Sequence, residues 1–259
     1  MVRVNHNILE KMNVYFKKTI KLCVLSFAFI SSLQAHKEIL IFMGAPGAGK
    51  GTLVENCCNQ LNFKVLSTGN LCRQEIVSGS LLGKKIEHYS LTTGMTPDDI
   101  IADMVEGWLE KQSSGTEKII FDGYPRTQAQ AKRRSVFLEE KLPDYCLRII
   151  YLEAVDSQEL IERILSRRVC VNKKCQAVYN RMIESHRDII FCEKCKSRLV
   201  QRADDTEEIV RTRIAGFFDN IIEILSYYEG EGILINKISV SHIEPQNVFT
   251  EFQRYMHLF

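Results

Sequence analysis

The chain has 259 residues, 45% of them apolar and 25% charged, with 34 Lys+Arg against 32 Asp+Glu. That length and balance suit one large α/β domain with insertions, and they exclude a disordered tail or a multi-pass membrane protein. Residues 1–36 carry a net +4, leaving a body at −2 that offers nucleic acid no general electrostatic attraction.

Residues 17–35, KKTIKLCVLSFAFISSLQA, place a basic stretch before the apolar run Leu22–Ile30 and small residues before Ala35. The run is shorter than the roughly 20 residues that span a bilayer. Its order fits a secretory signal peptide, with Met12 as a candidate start. A non-native extension from a mis-called start, or an apolar helix against the body, fits the same residues. Residues 1–36 are therefore set apart from the body, 37–259.

From Glu38 short apolar runs alternate with helical periods. Strands are expected at Glu38–Met43, Phe63–Leu66, Lys118–Asp122, Cys146–Leu152 and Gly232–Asn236. Helices are expected at Lys50–Leu61, Pro97–Lys111, Thr127–Lys141, Asp156–Arg168 and Thr206–Glu229. Near-continuous apolar strands separated by helices predict a doubly wound parallel sheet covered on both faces. Ser67–Thr96 is helical with no intervening strand, and Val169–Arg202 is polar and rich in Cys and Lys. Both read as insertions. The core then comprises 37–66, 97–165 and 206–259, with one insertion at 67–96 and the other at 166–205.

The first strand runs into Gly44-Ala45-Pro46-Gly47-Ala48-Gly49-Lys50-Gly51-Thr52. Glycines let backbone N–H groups turn inward as an anion nest at a helix N-terminus. Lys50 can reach β- and γ-phosphates, and Thr52 can orient a magnesium ion. Gly51, between the lysine and the hydroxyl, departs from the strict GxxxxGK[ST] pattern.

Cys170 and Cys175 are separated by four residues, Cys192 and Cys195 by two, with sixteen between the pairs. Two short-spaced pairs suit tetrahedral zinc, and a metal would supply the core that this polar segment lacks. Two disulfides are the rival reading. Cys23, Cys57, Cys58, Cys72 and Cys146 read as packed thiols in apolar or helical contexts.

The loop GAPGAGKGT resembles that of adenylate kinases and related nucleoside monophosphate kinases, and the resemblance continues through most of the chain from Glu38. It implies a P-loop NTPase-type five-stranded parallel sheet wrapped by helices, with an AMP-binding insertion at 67–96 and a zinc-stabilised lid at 166–205. On the ATP side it implies contacts from Gly47, Ala48, Gly49, Lys50, Gly51, Thr52, Arg163, Arg167 and the lid residues Val178 and Tyr179. Ser67-Thr68-Gly69-Asn70-Leu71-Cys72-Arg73 is similar to the family's STGDxxR segment, so Thr68 lies by the adenine and Arg73 pairs with the α-phosphate. Asn70, standing where Asp is usual, is read as a helix cap.

Phe121-Asp122-Gly123-Tyr124-Pro125-Arg126-Thr127-Gln128-Ala129-Gln130 is similar to DGFPRT..Q. There Gly123, Tyr124, Pro125 and Arg126 border AMP, Gln130 reads the adenine edge, and Asp122 sits beside the water shell of the magnesium. Thr93–Asp98 matches the family's G-[EK]-L-V-P-D loosely, giving Gly94, Met95 and Thr96 as backbone contacts; a helix start before Pro97 explains them equally well.

Arg163 and Arg167, spaced i and i+4, are expected to share a helix face with an anion between them. Arg202 opens QRADDTEEIVRTR, close to RxDDxxExVxxR. Arg202 and Arg213 join the AMP-binding set, and Asp204 and Asp205 cap a helix and pair with arginines as the lid closes. Lys50, Arg126, Arg167, Arg202 and Arg213 form the expected catalytic set. Ile238-Ser239-Val240-Ser241 lacks the family's DG-type turn, so no adenine contact is carried over to it. Val178-Tyr179 can equally be hairpin packing.

Together these features predict a magnesium-dependent ATP + AMP ⇌ 2 ADP phosphotransferase with structural zinc, monomeric and with ATP, AMP and ADP as its partners. Neither nucleic acid nor stable membrane insertion is expected. A kinase for UMP/CMP or another monophosphate, and a zinc-stabilised nucleotide-binding protein without turnover, remain alternatives. ATP supply and reduced thiolates point to the cytoplasm, while residues 17–35 point to export.

Overall fold

The computed structural model describes residues 37–92, 95–112, 118–154, 156–172, 175, 177–241 and 245–257. The extension 1–36, with Cys23, lies outside the described residues, as does Gly94.

Strands β1 (Lys37–Gly44), β2 (Lys64–Ser67), β3 (Lys118–Asp122), β4 (Tyr145–Glu153) and β8 (Ile235–Ser239) form a five-stranded parallel sheet in the order β2-β3-β1-β4-β8. Helices α1 (Lys50–Leu61), α4 (Asp98–Gln112), α5 (Gln128–Lys141), α6 (Ser157–Leu165), α7 (Glu207–Gly230) and α8 (Pro245–His257) cover it. Alternate residues of β1 serve opposite faces. Leu40 and Phe42 pack with Leu53, Val54, Leu160, Ile164, Phe249 and Phe252. Ile39 and Ile41 pack with Ile101, Val105, Leu138, Ile221 and Tyr228. A strand covered on both faces needs no polar positions, which is why β1 reads as one apolar run. Register aligns Phe42 with Asp122, and Asp122 with Ser67. The carboxyl ends of β1, β2 and β3 therefore meet at one edge of the sheet.

Between β2 and α4 lie α2 (Thr68–Ser78) and α3 (Leu81–Thr92). Between α6 and α7 lies a second, antiparallel sheet of β5 (Arg167–Cys170), β6 (Val178–Asn180) and β7 (Leu199–Val200), in the order β6-β5-β7. No helix among the described residues is long and apolar enough to cross a membrane.

Three expectations change and one helix is added. The helix expected over Asp156–Arg168 ends at Leu165, because Arg167 to Val169 pair with Asn180 to Val178 in the small sheet. Ladder pairing overrides the helix propensity of Ser166-Arg167-Arg168. The last strand is Ile235–Ser239 rather than Gly232–Asn236, since α7 first unwinds through a turn in which the N–H groups of Gly232 and Ile233 donate to Glu229 and Tyr228. Helix α8 is the added element, and its Val248, Phe249 and Phe252 are spaced for a buried helical face. Helix α7 is capped by Thr206, whose hydroxyl accepts from the Ile209 N–H, not by Asp204 or Asp205. Those two carboxylates instead bind arginines.

Candidate active site

The glycine-rich loop leaves the end of β1 and enters α1 through Gly49, in left-handed backbone. Gly47 is left-handed too (φ 84°), and a Cβ there would sit 2.8 Å from the Leu160 carbonyl. Only glycine lets the loop close this tightly on α6. Lys50 donates from Nζ to the carbonyls of Gly44 (2.6 Å) and Ala45 (3.0 Å). Burial lowers its pKa to about 8, Asp122 opposes the fall, and Arg126 and Arg167 add to it. Lys50 thus shares one electrostatic site with β3, the loop after it, and the small sheet.

Asp122 ends β3 and accepts from Ser67 Oγ at 3.1 Å. A carboxylate held at the sheet edge beside Lys50, with the Thr52 hydroxyl exposed at the start of α1, is an oxygen donor set that fits magnesium. Beyond it, the Thr68 hydroxyl donates to the Gly123 carbonyl (2.9 Å), and Arg126 Nε donates to the same oxygen (2.9 Å). Gly123 is left-handed (φ 77°), and a Cβ there would stand 3.1 Å from Thr68 Oγ1 and 3.2 Å from Arg126 Nη2. The residue type therefore decides whether Thr68 and Arg126 can approach each other. Pro125 follows a cis peptide bond, and Tyr124 is buried, its hydroxyl donating to the Gln130 carbonyl.

Gln130 is itself buried. Its Oε1 accepts from the Arg126 N–H (2.7 Å) and its Nε2 donates to Asp98 (2.6 Å), which also accepts from Thr127 (2.5 Å). Asp98, at the start of α4, has no role assigned from the sequence, yet it holds the Gln130 amide in place. Ser67, likewise without a role assigned from the sequence, donates to Asp122. Met95 is exposed, and Thr96 hydrogen-bonds the Cys72 thiol. Asn70 does not cap α2; it accepts from Arg73 and orients that guanidinium.

Five guanidiniums from separate elements share this cleft. Burial lowers the pKa of Arg73, with Asp204 opposing and Arg167 adding. Burial also lowers Arg126, and Arg213 adds to the fall. Arg202 falls to about 10, through burial first and then Arg167 and Arg73. Such mutual repulsion suits a cleft awaiting polyanions. Two carboxylates hold the set: Arg167 donates to Asp205, and Arg213 to Asp204 at 2.6 Å.

Arg163 stands apart from this set. It bonds Glu159 (2.5 Å) and the Val240 carbonyl just beyond β8 (3.1 Å). With α6 ending at Leu165 and β5 beginning at Arg167, Arg163 and Arg167 do not share a helix face, contrary to expectation.

The sulfurs of Cys170, Cys175, Cys192 and Cys195 all lie within 4.8 Å of one another. The closest pairs are Cys170–Cys195 at 3.3 Å and Cys175–Cys192 at 3.6 Å. A tetrahedral site with metal–sulfur bonds of about 2.3 Å needs sulfurs about 3.8 Å apart, whereas a disulfide needs about 2.05 Å. The four thiols are positioned to bind a metal. Cys195 falls to about 6, chiefly through the Ser197 side chain and N–H. At Cys192 burial is outweighed by donation from Tyr179 and from the N–H groups of Cys195 and Lys194.

Of the two residues expected at the ATP ring, Val178 is exposed. Tyr179 is buried with Cys170, Ala177, Cys192 and Leu199. Among the other thiols Cys57 is buried, Cys58 and Cys72 are half-buried, and Cys146 is exposed rather than packed, since it lies where β4 is just entering the sheet.

Comparison with known proteins places these features in context. A family model described as adenylate kinase matches residues 42–233. Adenylate kinase of Thermosipho africanus is 37% identical over 192 residues, 73% of this chain and 86% of that protein. Adenylate kinase of Pseudothermotoga lettingae is 36% identical over 200 residues, covering 76% and 88%. Adenylate kinase of Archaeoglobus fulgidus is 35% identical over 207 residues, covering 79% and 92%.

Proposed function

The chain belongs to the adenylate kinase family, and on that premise we propose how its residues divide the reversible transfer ATP + AMP ⇌ 2 ADP. The observation that carries the assignment is the convergence of Lys50 and five arginines, drawn from six elements, on one sheet edge. Phosphoryl transfer asks little covalent chemistry of the protein and depends on positioning and fixed positive charge.

Gly47 to Thr52 and Lys50 hold the ATP phosphates, with Arg163 and Val178 toward the base. Thr68, Arg73 and Gln130 hold AMP, along a wall formed by Met95, Thr96, Gly123, Tyr124 and Pro125. Gln130 is ready for base recognition because Asp98 and the Arg126 N–H fix its amide. Arg126, Arg167, Arg202 and Arg213 face the transferring group. Thr52 and Asp122 are the residues that would hold magnesium, which would supply positive charge to the transferring phosphates. No covalent nucleophile is required for in-line transfer.

The metal at the four cysteines is zinc, structural and without catalytic duty, because four thiolates leave no open position. Segments 67–96 and 166–205 act as the two lids that exclude water from the transfer. The protein works as a monomer in the cytoplasm, where thiolate ligands stay reduced. Coupled assays with AMP, CMP, UMP and GMP at fixed Mg·ATP test the acceptor; preference for CMP or UMP would overturn AMP. The mature N-terminus, whether Met1, Met12 or His36, tests the compartment.

A further inference from the structure

Strand β6 pairs with β5 through Val178, Tyr179 and Asn180. Successive side chains of a strand point to opposite faces. Val178 faces out and is 49% exposed, whereas Tyr179 faces in and is 6% exposed. The Tyr179 hydroxyl lies 3.5 Å from Cys192 Sγ. Its oxygen already accepts the Glu193 N–H at 2.9 Å. The phenolic proton is therefore left for another acceptor in a buried place, and the nearest is the Cys192 sulfur. When Cys192 is a metal-bound thiolate it has no proton to give, so donation runs from Tyr179 to sulfur. His186 packs edge-on against the Tyr179 ring, centroids 5.2 Å apart, and fixes its orientation.

We propose that Tyr179 is a positioning residue of the cysteine metal centre, holding the Cys192 thiolate through its hydroxyl, and that of the Val178-Tyr179 pair only Val178 is presented to nucleotide. The proposal rests on the metal-binding reading of the four cysteines. Outer partners of this kind orient a ligand, and their loss weakens metal binding by roughly 10–100-fold. Tyr179→Phe keeps the ring, its burial and its contact with His186, and removes only the donor.

The test measures zinc release from the purified full-length protein to a chromogenic chelator, and the sulfur-to-metal charge-transfer band after replacement with Co²⁺. Tyr179→Phe should bind one equivalent of metal, release it about 10-fold faster or more, and shift the Co²⁺ band. Val178→Ala should change neither reading. Absence of metal from the wild-type protein would overturn both this proposal and the metal reading. Stoichiometric metal with an unchanged release rate and band in Tyr179→Phe would overturn the role of Tyr179 alone. If the phenylalanine variant does not fold, Tyr179→Trp, which restores an N–H donor, gives the second arm; release as fast as from a Cys192→Ser variant would count against a donor role.

Discussion

Arg167 donates from Nε (2.9 Å) and Nη2 (2.5 Å) to the carboxylate of Asp205, whose side chain has 0% exposure. The pair fixes an arginine of the cleft in one orientation before any phosphate arrives. Arg167→Ala removes the fork and leaves Asp205 buried without its partner, at a cost of about 3–5 kcal/mol. The melting temperature should fall by about 10 °C, and turnover by about 10³ or more. Arg167→Ala combined with Asp205→Ala should recover most of the stability and none of the turnover. Recovery of both in the double variant would show that the arginine serves the fold alone.

Arg126 donates to the Gly123 carbonyl and makes no ion pair in the described structure beyond its electrostatic neighbours. Arg126→Ala should therefore leave the melting temperature within a few degrees while turnover drops by about 10³. Near-normal turnover would remove Arg126 from the transfer step.

The lowered pKa of Lys50, about 8 against an ordinary 10.5, gives two opposite pH trends. Since kcat/KM reports the free enzyme, kcat/KM for ATP should fall above about pH 8 as the ammonium group deprotonates. Bound phosphates hold the proton, so kcat keeps its plateau to higher pH. Stability of the nucleotide-free protein gains from this group between pH 8 and 10.5, because the unfolded chain retains a proton that the folded one has lost. Initial rates and thermal melts across pH 7–10 check both signs.

Removing the metal should unfold the small sheet before the core. Among the described residues the small sheet's buried hydrophobic cluster is Cys170, Ala177, Tyr179, Cys192 and Leu199, and three-stranded sheets of this size need a staple. Chelation, or Cys192→Ser, should add an early thermal transition and lower turnover, while the main transition of the parallel sheet persists. A single unchanged transition in metal-free protein would contradict this.

Arg134 is 2% exposed, and its Nε and Nη1 have no hydrogen-bond partner among the described residues; its guanidinium lies 4.9 Å from the centre of the Tyr228 ring. An incompletely paired buried cation costs more than such a ring contact returns. Arg134→Met should raise the melting temperature by a few degrees with turnover kept, as read by thermal melts and coupled assay.

Local features were legible in the sequence: the glycine loop, because its chemistry is contiguous, and the cysteine spacing, because ligand reach limits it. The alternating strands and helices followed from periodicity. What depended on distant partners was not legible. The end of α6 is set by pairing with Asn180, thirteen residues beyond Arg167, and no property of Ser166-Arg167-Arg168 announces it. The inward face of Tyr179 belongs to a three-residue strand, too short for alternation to show. Asp98 gains its meaning only when Thr127 and Gln130 arrive from 29 and 32 residues away.

The junction between Leu165 and Arg167 has a mechanical consequence. Arg163 is moored to Val240 at the sheet and Arg167 begins the small sheet, with Ser166 between them. Any turn of the small sheet relative to α6 passes through Ser166, whose N–H donates to Glu162 and whose carbonyl accepts from Arg181, so those bonds must yield first. A nucleotide touching both guanidiniums would then act as a tether across a pivot, so that its length, and not its charge alone, sets how far the small sheet can turn.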